Sequence, residues 1–149
     1  MTFRPFNVLI DQAVSNVTST KGILFNNTGV TIVGSTPVRL NSSGQIATIN
    51  PSIESNALAV VGVVETDILA STYGNVVTQG RISNITTGFA FGDYVYVSKI
   101  GDFTNILPSE GVNGFIAGDF IIRVGVIAKN DINPAYKDLF VSMQVVGQI

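Results

Sequence analysis

The stretch Val95–Ser109 reads VYVSKIGDFTNILPS, and Val38–Ser52 reads VRLNSSGQIATINPS. The two align without a gap: Gly101 falls on Gly44 (101 − 44 = 57) and Pro108 on Pro51 (108 − 51 = 57). Each copy runs through alternating apolar residues to a glycine, resumes for a few residues, and closes on a Pro-Ser loop. Glycine takes the positive φ of a tight hairpin, and Asn, Asp or Ser beside it tolerates the bend. Each copy therefore predicts a strand, a hairpin turn, a short strand and a loop. Downstream, Val61-Gly62-Val63-Val64 falls on Val124-Gly125-Val126-Ile127 (125 − 62 = 63), and Tyr73 falls on Tyr136 at the same offset. The second copy thus carries an insertion of 63 − 57 = 6 residues within SEGVNGFIAGD, Ser109–Asp119. Self-similarity of this kind marks an internal duplication, with units at about 34–82 and 91–146.

Around these anchors, turn residues recur and β-branched residues fill the gaps, the pattern of an all-β domain. Strands are predicted at Ile23–Asn26, Val30–Val33, Pro37–Leu40, Gln45–Ile49, Leu58–Val64, Asn75–Ile82, Tyr94–Ser98, Phe103–Ile106, Phe120–Ala128 and Leu139–Val145. Leu58–Val64 and Phe120–Ala128 are apolar enough for burial on both faces. Ser52 could cap a short helix, but the apolar run after it reads better as a strand. The polar stretch Asp11–Gly22 reads as an arm or long loop. The expected architecture is a β-sandwich or barrel-like domain, 23–149, with two pseudo-repeated lobes behind an extended N-terminal arm, 1–22.

Composition narrows the chemistry. Apolar residues make up 46% of the 149 residues, and charged residues only 12%, about half the share of roughly 25% usual in soluble domains. Polar positions go to Ser, Thr, Asn and Gln, a weakly charged surface that suits burial against other subunits. Eight basic and ten acidic residues are scattered along the chain, so there is no basic stripe to neutralise phosphates and no nucleic-acid partner is expected. No apolar run reaches the roughly 20 residues of a membrane span, and Pro5, Asn7 and Asp11 interrupt any secretory leader. With neither Cys nor His, disulfides, thiol nucleophiles, imidazole ligands and His-dependent triads are excluded. No cofactor or metal is expected.

Gly-Asp-aromatic occurs at Gly92-Asp93-Tyr94, Gly101-Asp102-Phe103 and Gly118-Asp119-Phe120. Asp102 falls on Gln45 in the other copy, so the repeat does not require the carboxylate, and the three aspartates read as turn chemistry. Glu65 and Asp67 share one strand face but fall on Ala128 and Asn130, a solvated strand end. Nothing forms a calcium loop or a phosphate-binding loop. Alternation puts Tyr94 and Tyr96 on one face, where they either pack across strands or stack on a sugar or a partner. A carboxylate-only hydrolase would need two carboxylates converging in a cleft.

The series formed by the Gly-centred hairpins, the Pro-Ser loop, the VGV strand, GNVVTQGRI (Gly74–Ile82) and FGDYVYVSKIG (Phe91–Gly101) resembles small β-rich virion proteins of tailed bacteriophages. These are head-decoration (cement) proteins and short head- or tail-fibre domains. The resemblance covers roughly Gly34–Val146 and implies a non-enzymatic, trimeric protein located in the virion and assembled in the host cytoplasm. Its implied partners are its own copies and a major capsid protein or other virion protein. A host glycan is the partner in the fibre alternative. It also implies an arm reaching over neighbouring subunits. That arm would be Met1–Lys21, anchored by Phe3, Phe6, Val8 and Ile10, with Tyr94 and Tyr96 as further contact residues.

Overall fold

The computed structural model describes residues 19–149, so Phe3, Phe6, Val8 and Ile10 lie outside the described residues. The chain forms β1 (Ser19–Asn26), β2 (Pro37–Leu40), β3 (Ile46–Ala47), α1 (Glu54–Ala57), β4 (Val60–Val64), β5 (Thr72–Ile85), β6 (Tyr94–Val97), β7 (Phe103–Thr104), β8 (Phe120–Lys129) and β9 (Lys137–Gln148). Nine strands join in the order β1-β3-β2-β4-β5-β9-β8-β6-β7, and β1 pairs with β5 as well. The first five strands thereby return on themselves as a small barrel, closed by one parallel bridge between Asn26 and Ile46. The fold is all-β, in one mixed sheet.

The sequence repeat is reproduced in the hydrogen-bond register. Arg39 pairs with Ala47 and Leu40 with Ile46; in the second copy Tyr96 pairs with Thr104 and Val97 with Phe103. Pro37, Val38 and Arg39 face Val63, Gly62 and Val60, with a bulge after Val38. Tyr94, Val95 and Tyr96 face Val126, Gly125 and Arg123, with a bulge after Val95. Val63 and Val64 pair with Val77 and Val76, as Val126 and Ile127 pair with Phe140 and Leu139. The hairpin tips match too. Asn41 Oδ1 accepts the N–H groups of Ser43 and Gln45, and Ser98 Oγ accepts those of Ile100 and Asp102.

Strand β5 belongs to both units. Thr72–Gly80 pair with β1, and Gln79–Ile85 pair with β9. Its second half lies beside β9 as β1 lies beside β5: Gly22 faces Val76, and Ile82 faces Leu139. One strand therefore ends the first unit and begins the second.

Equivalent positions also fill the two cores. Val38, Leu40, Ile46, Val61, Val64 and Val76 pack in the first unit. Their counterparts Val95, Val97, Phe103, Val124, Ile127 and Leu139 pack in the second. The outward side chains of the first unit, Val63 and Val77, are themselves fully buried, because they enter the second core. The second unit has no bridge equivalent to Asn26–Ile46 among the described residues, and the outer face of β4 and β5 supplies part of its core.

Several sequence expectations shift. Ser19–Gly22, placed with the arm, are strand: Lys21 pairs with Val77 and forms an ion pair with Glu65 at 2.7 Å. A polar, half-exposed strand carries no apolar signal. Val30–Val33 is not a strand; only Ile32 bridges, to Ile68, because positive-φ turns at Gly29 and Ser35 bracket it. The short helix does exist, at Glu54–Ala57 with Ile53 rather than Ser52 at its N-cap and no side-chain cap. The Asn56 side chain accepts the Asn50 N–H at 3.0 Å and fixes that turn, so the strand begins only at Val60. β3 and β7 shrink to two residues each. β8 is buried on one face and half-buried on the other, where Ile121, Arg123 and Val126 lie.

Candidate functional site

The side chains of the second unit that point away from its core form the outer face of β6, β8 and β9. Cross-strand register fixes two rows on it. Arg81 faces Phe140, Phe140 faces Val126, and Val126 faces Tyr94. Beside that row, Gln144 faces Arg123, and Arg123 faces Tyr96. Strands alternate their side chains, so Tyr94 and Tyr96 share this face, as expected from sequence. The structure adds Phe140, Val126, Arg81, Arg123 and Gln144, which sequence reading missed. The sequence alignment of the two units held a signal for them: Val77 and Val60 fall on Phe140 and Arg123 at the offset of 63, an aliphatic pair against an aromatic and a cation.

The two arginines differ. The Arg81 guanidinium lies 4.6 Å from the Phe140 ring and forms an ion pair with Asp138, which is fully buried. Burial alone would raise the Asp138 carboxyl. The Asn84 N–H (2.7 Å), the Asn130 side chain (3.0 Å) and Arg81 outweigh that and hold it below the usual value. Arg123 lies 5.3 Å from the Tyr94 ring and, among the described residues, takes part in no ion pair or side-chain hydrogen bond. It is half-buried, with the fork of donors that pairs best with a carboxylate or phosphate.

The Gly-Asp repeats are turns. Gly92, Gly101 and Gly118 all have positive φ. Asp93 accepts from the Ala90 N–H and the Asn105 side chain, and Asp102 accepts from Ser98 Oγ. Asp119 does more. It is nearly fully buried and accepts from Ser52 Oγ at 2.8 Å, from the Ile116 N–H at 2.9 Å and from Lys99. Burial pushes its carboxyl upward, but these donors outweigh it and hold it below the ordinary range. Lys99 Nζ also donates to Ser52 Oγ at 2.6 Å. Lys99 thus anchors Ser52 and Asp119 to one another. The cluster ties the Pro51-Ser52 loop and the hairpin tip at Lys99 to the start of β8.

A shallow cleft of about 630 Å³ runs beside the second half of β5, past Gly34, Glu65, Asp67, Ser83 and Asn84. Glu65 is paired with Lys21, and Asp67 accepts the Gly34 N–H at 2.8 Å, so both carboxylates are engaged in holding the fold. Among the described residues, no group of three or more Asp or Glu could hold a metal ion, and no helix is long and apolar enough to cross a membrane. Compared with known proteins, the chain matches no protein-family model, and no curated protein is significantly similar to it.

Proposed function

We propose that the chain is a structural virion protein of a tailed bacteriophage. It acts as a capsid decoration protein, a homo-oligomer (a trimer first) that stabilises the head through contacts with its own copies and with a capsid lattice. The observation that carries this reading is the surface. Large apolar side chains such as Ile23, Leu58, Tyr73, Ile100 and Ile132 stand exposed on both units, on a chain with few charges to keep neighbours apart. Such a surface suits a protein that works by contact area, since a stable protein contact covers about 800 Å² per partner. A decoration protein needs no nucleophile or base, and the polar clusters above hold loops instead. The capsid partner and the virion location rest on the resemblance of the Gly74–Ile82 and Phe91–Gly101 segments.

The test is sedimentation of the purified chain with undecorated capsids. Saturable co-sedimentation that raises the temperature of capsid disruption is the expected result; a chain that stays in the supernatant overturns the reading. Deleting Met1–Thr18 spares β1 and isolates the arm. Loss of capsid occupancy is expected if the arm reaches a neighbour, and normal occupancy removes the arm from the proposal.

A fibre domain that binds host glycan is the second reading, favoured by the aromatic face of Tyr94, Tyr96 and Phe140. Retention of the chain on immobilised host polysaccharide, lost in Tyr94→Ala, is its expected signature. Equal retention of both proteins removes the face from that reading.

A further inference from the structure

The internal repeat gives the outer face of the second unit a direct precedent. In the first unit the same face, built from Val60, Val63 and Val77, is covered by the second unit. Val63 and Val77 are there fully buried. Their register equivalents Val126 and Phe140, with Tyr94 beside them, have no third unit over them among the described residues, and Phe140 is 38% and Tyr94 54% exposed. Arrays of stacked units normally end in a polar outer face that keeps the last unit soluble. This array ends in a mixed face, where Tyr94, Tyr96, Phe140 and Val126 stand among Arg81, Arg123 and Gln144. Tyr and Arg are the side chains that dominate the energetics of protein contacts.

We propose that the outer face of β6, β8 and β9 is a subunit contact that receives a second copy of this chain. It rests on the oligomeric reading above and adds to it the surface through which the copies meet. The occupant follows from the repeat, because within the chain the equivalent face is covered by another copy of the same unit. Arg123 refines the contact. A two-fold face-to-face arrangement would bring Arg123 near its own copy. A head-to-tail contact instead lets a carboxylate of the neighbour meet its guanidinium, which forms no ion pair among the described residues, and head-to-tail contacts that close form rings.

The test uses the full chain, measured by light scattering after size exclusion across a range of concentrations. Wild type is expected near three times 15.8 kDa. Phe140→Asp and Tyr94→Asp are each expected to give a threefold smaller mass with an unchanged β circular dichroism spectrum. Tyr94 is exposed enough for its variant to fold even if Phe140→Asp does not. A charge added at the exposed hairpin tip, Ser43→Asp, should leave the mass unchanged. If wild type is oligomeric and both face variants remain so, the face is wrong and the oligomeric reading stands. A wild type that is monomeric at every concentration overturns both. A monomer that binds host polysaccharide and loses it in Tyr94→Asp gives the face to a glycan and overturns the proposal.

Discussion

Gly62 and Gly125 occupy equivalent places, each where a strand crosses its neighbour too closely for a side chain. A Cβ on Gly62 would lie 2.2 Å from the Val77 carbonyl oxygen, and one on Gly125 would lie 1.8 Å from that of Phe140. Both obstacles are backbone in the middle of a ladder and cannot swing aside. Gly62→Ala and Gly125→Ala are each expected to cost about 3 kcal/mol, the upper end of overpacking penalties, read as a lower urea midpoint with unchanged slope. Asp138 presents the opposite hazard, a buried charge whose worth depends on its partners. Asp138→Ala strips Arg81, the Asn84 N–H and the Asn130 amide of a shared acceptor, and donors left without their acceptor cost about 1–3 kcal/mol. The acid response follows from the sign of the shifts. Asp119 and Asp138 are both held below the ordinary value of 3.8, so the unfolded chain takes up these protons first as pH falls. Their contribution is complete above that value and is lost as pH drops through the lower folded values. Melting temperature should be level near neutrality and fall steeply below about pH 4, with a shallower fall in Asp138→Asn. An equal fall in that variant would take Asp138 out of the explanation.

The two hairpins are the elements most legible in the sequence, and they also show where reading stops. Gly44 and Gly101 both adopt positive φ, +73° and +90°, as the Asn-Ser-Ser-Gly and Ser-Lys-Ile-Gly turns require. Their surroundings differ. Nothing lies within 4 Å of a Cβ on Gly44, whereas one on Gly101 would stand 2.8 Å from the Ile49 carbonyl oxygen of the other unit. Gly44→Ala should therefore cost only the left-handed penalty of about 1–2 kcal/mol. Gly101→Ala adds a backbone clash and should lower the melting temperature clearly further; equal effects would mean that the contact yields. Local chemistry located β2 and β6 to within a residue, because alternation and turn residues agree there. It overran at Val30–Val33, where β-branched residues lie between two turns with no neighbour to pair along. It fell short at Ser19–Gly22, whose strand character comes from pairing with β5 rather than from its own residues. The aspartates read as punctuation do punctuate, but the anchoring by Asp119 depends on Ser52 and Lys99, which are far from it in the chain and adjacent only in the fold.

At the scale of the molecule, the repeated pattern was visible in the letters, while the fate of its faces was not. Val77 and Phe140 occupy the same place in two copies of one unit, and no local rule says that the first is sealed inside and the second open. That difference comes from the sharing of β5, which directs Val76 into the first core and Val77 into the second. Two units joined this way should not unfold one at a time. Removing the second would uncover Val63 and Val77 together, and unfolding the first would withdraw a wall of the second core. Val76→Ala and Val77→Ala, adjacent in sequence but facing different cores, are each expected to cost about 2 kcal/mol through the cavity left behind. Both should lower a single transition seen alike by calorimetry and by tyrosine fluorescence, the mark of two-state behaviour. If Val76→Ala instead split the melt, with the second unit persisting above the first, the units would be independent lobes. The buried outer face of the first would then be a contact between finished bodies rather than part of a common core.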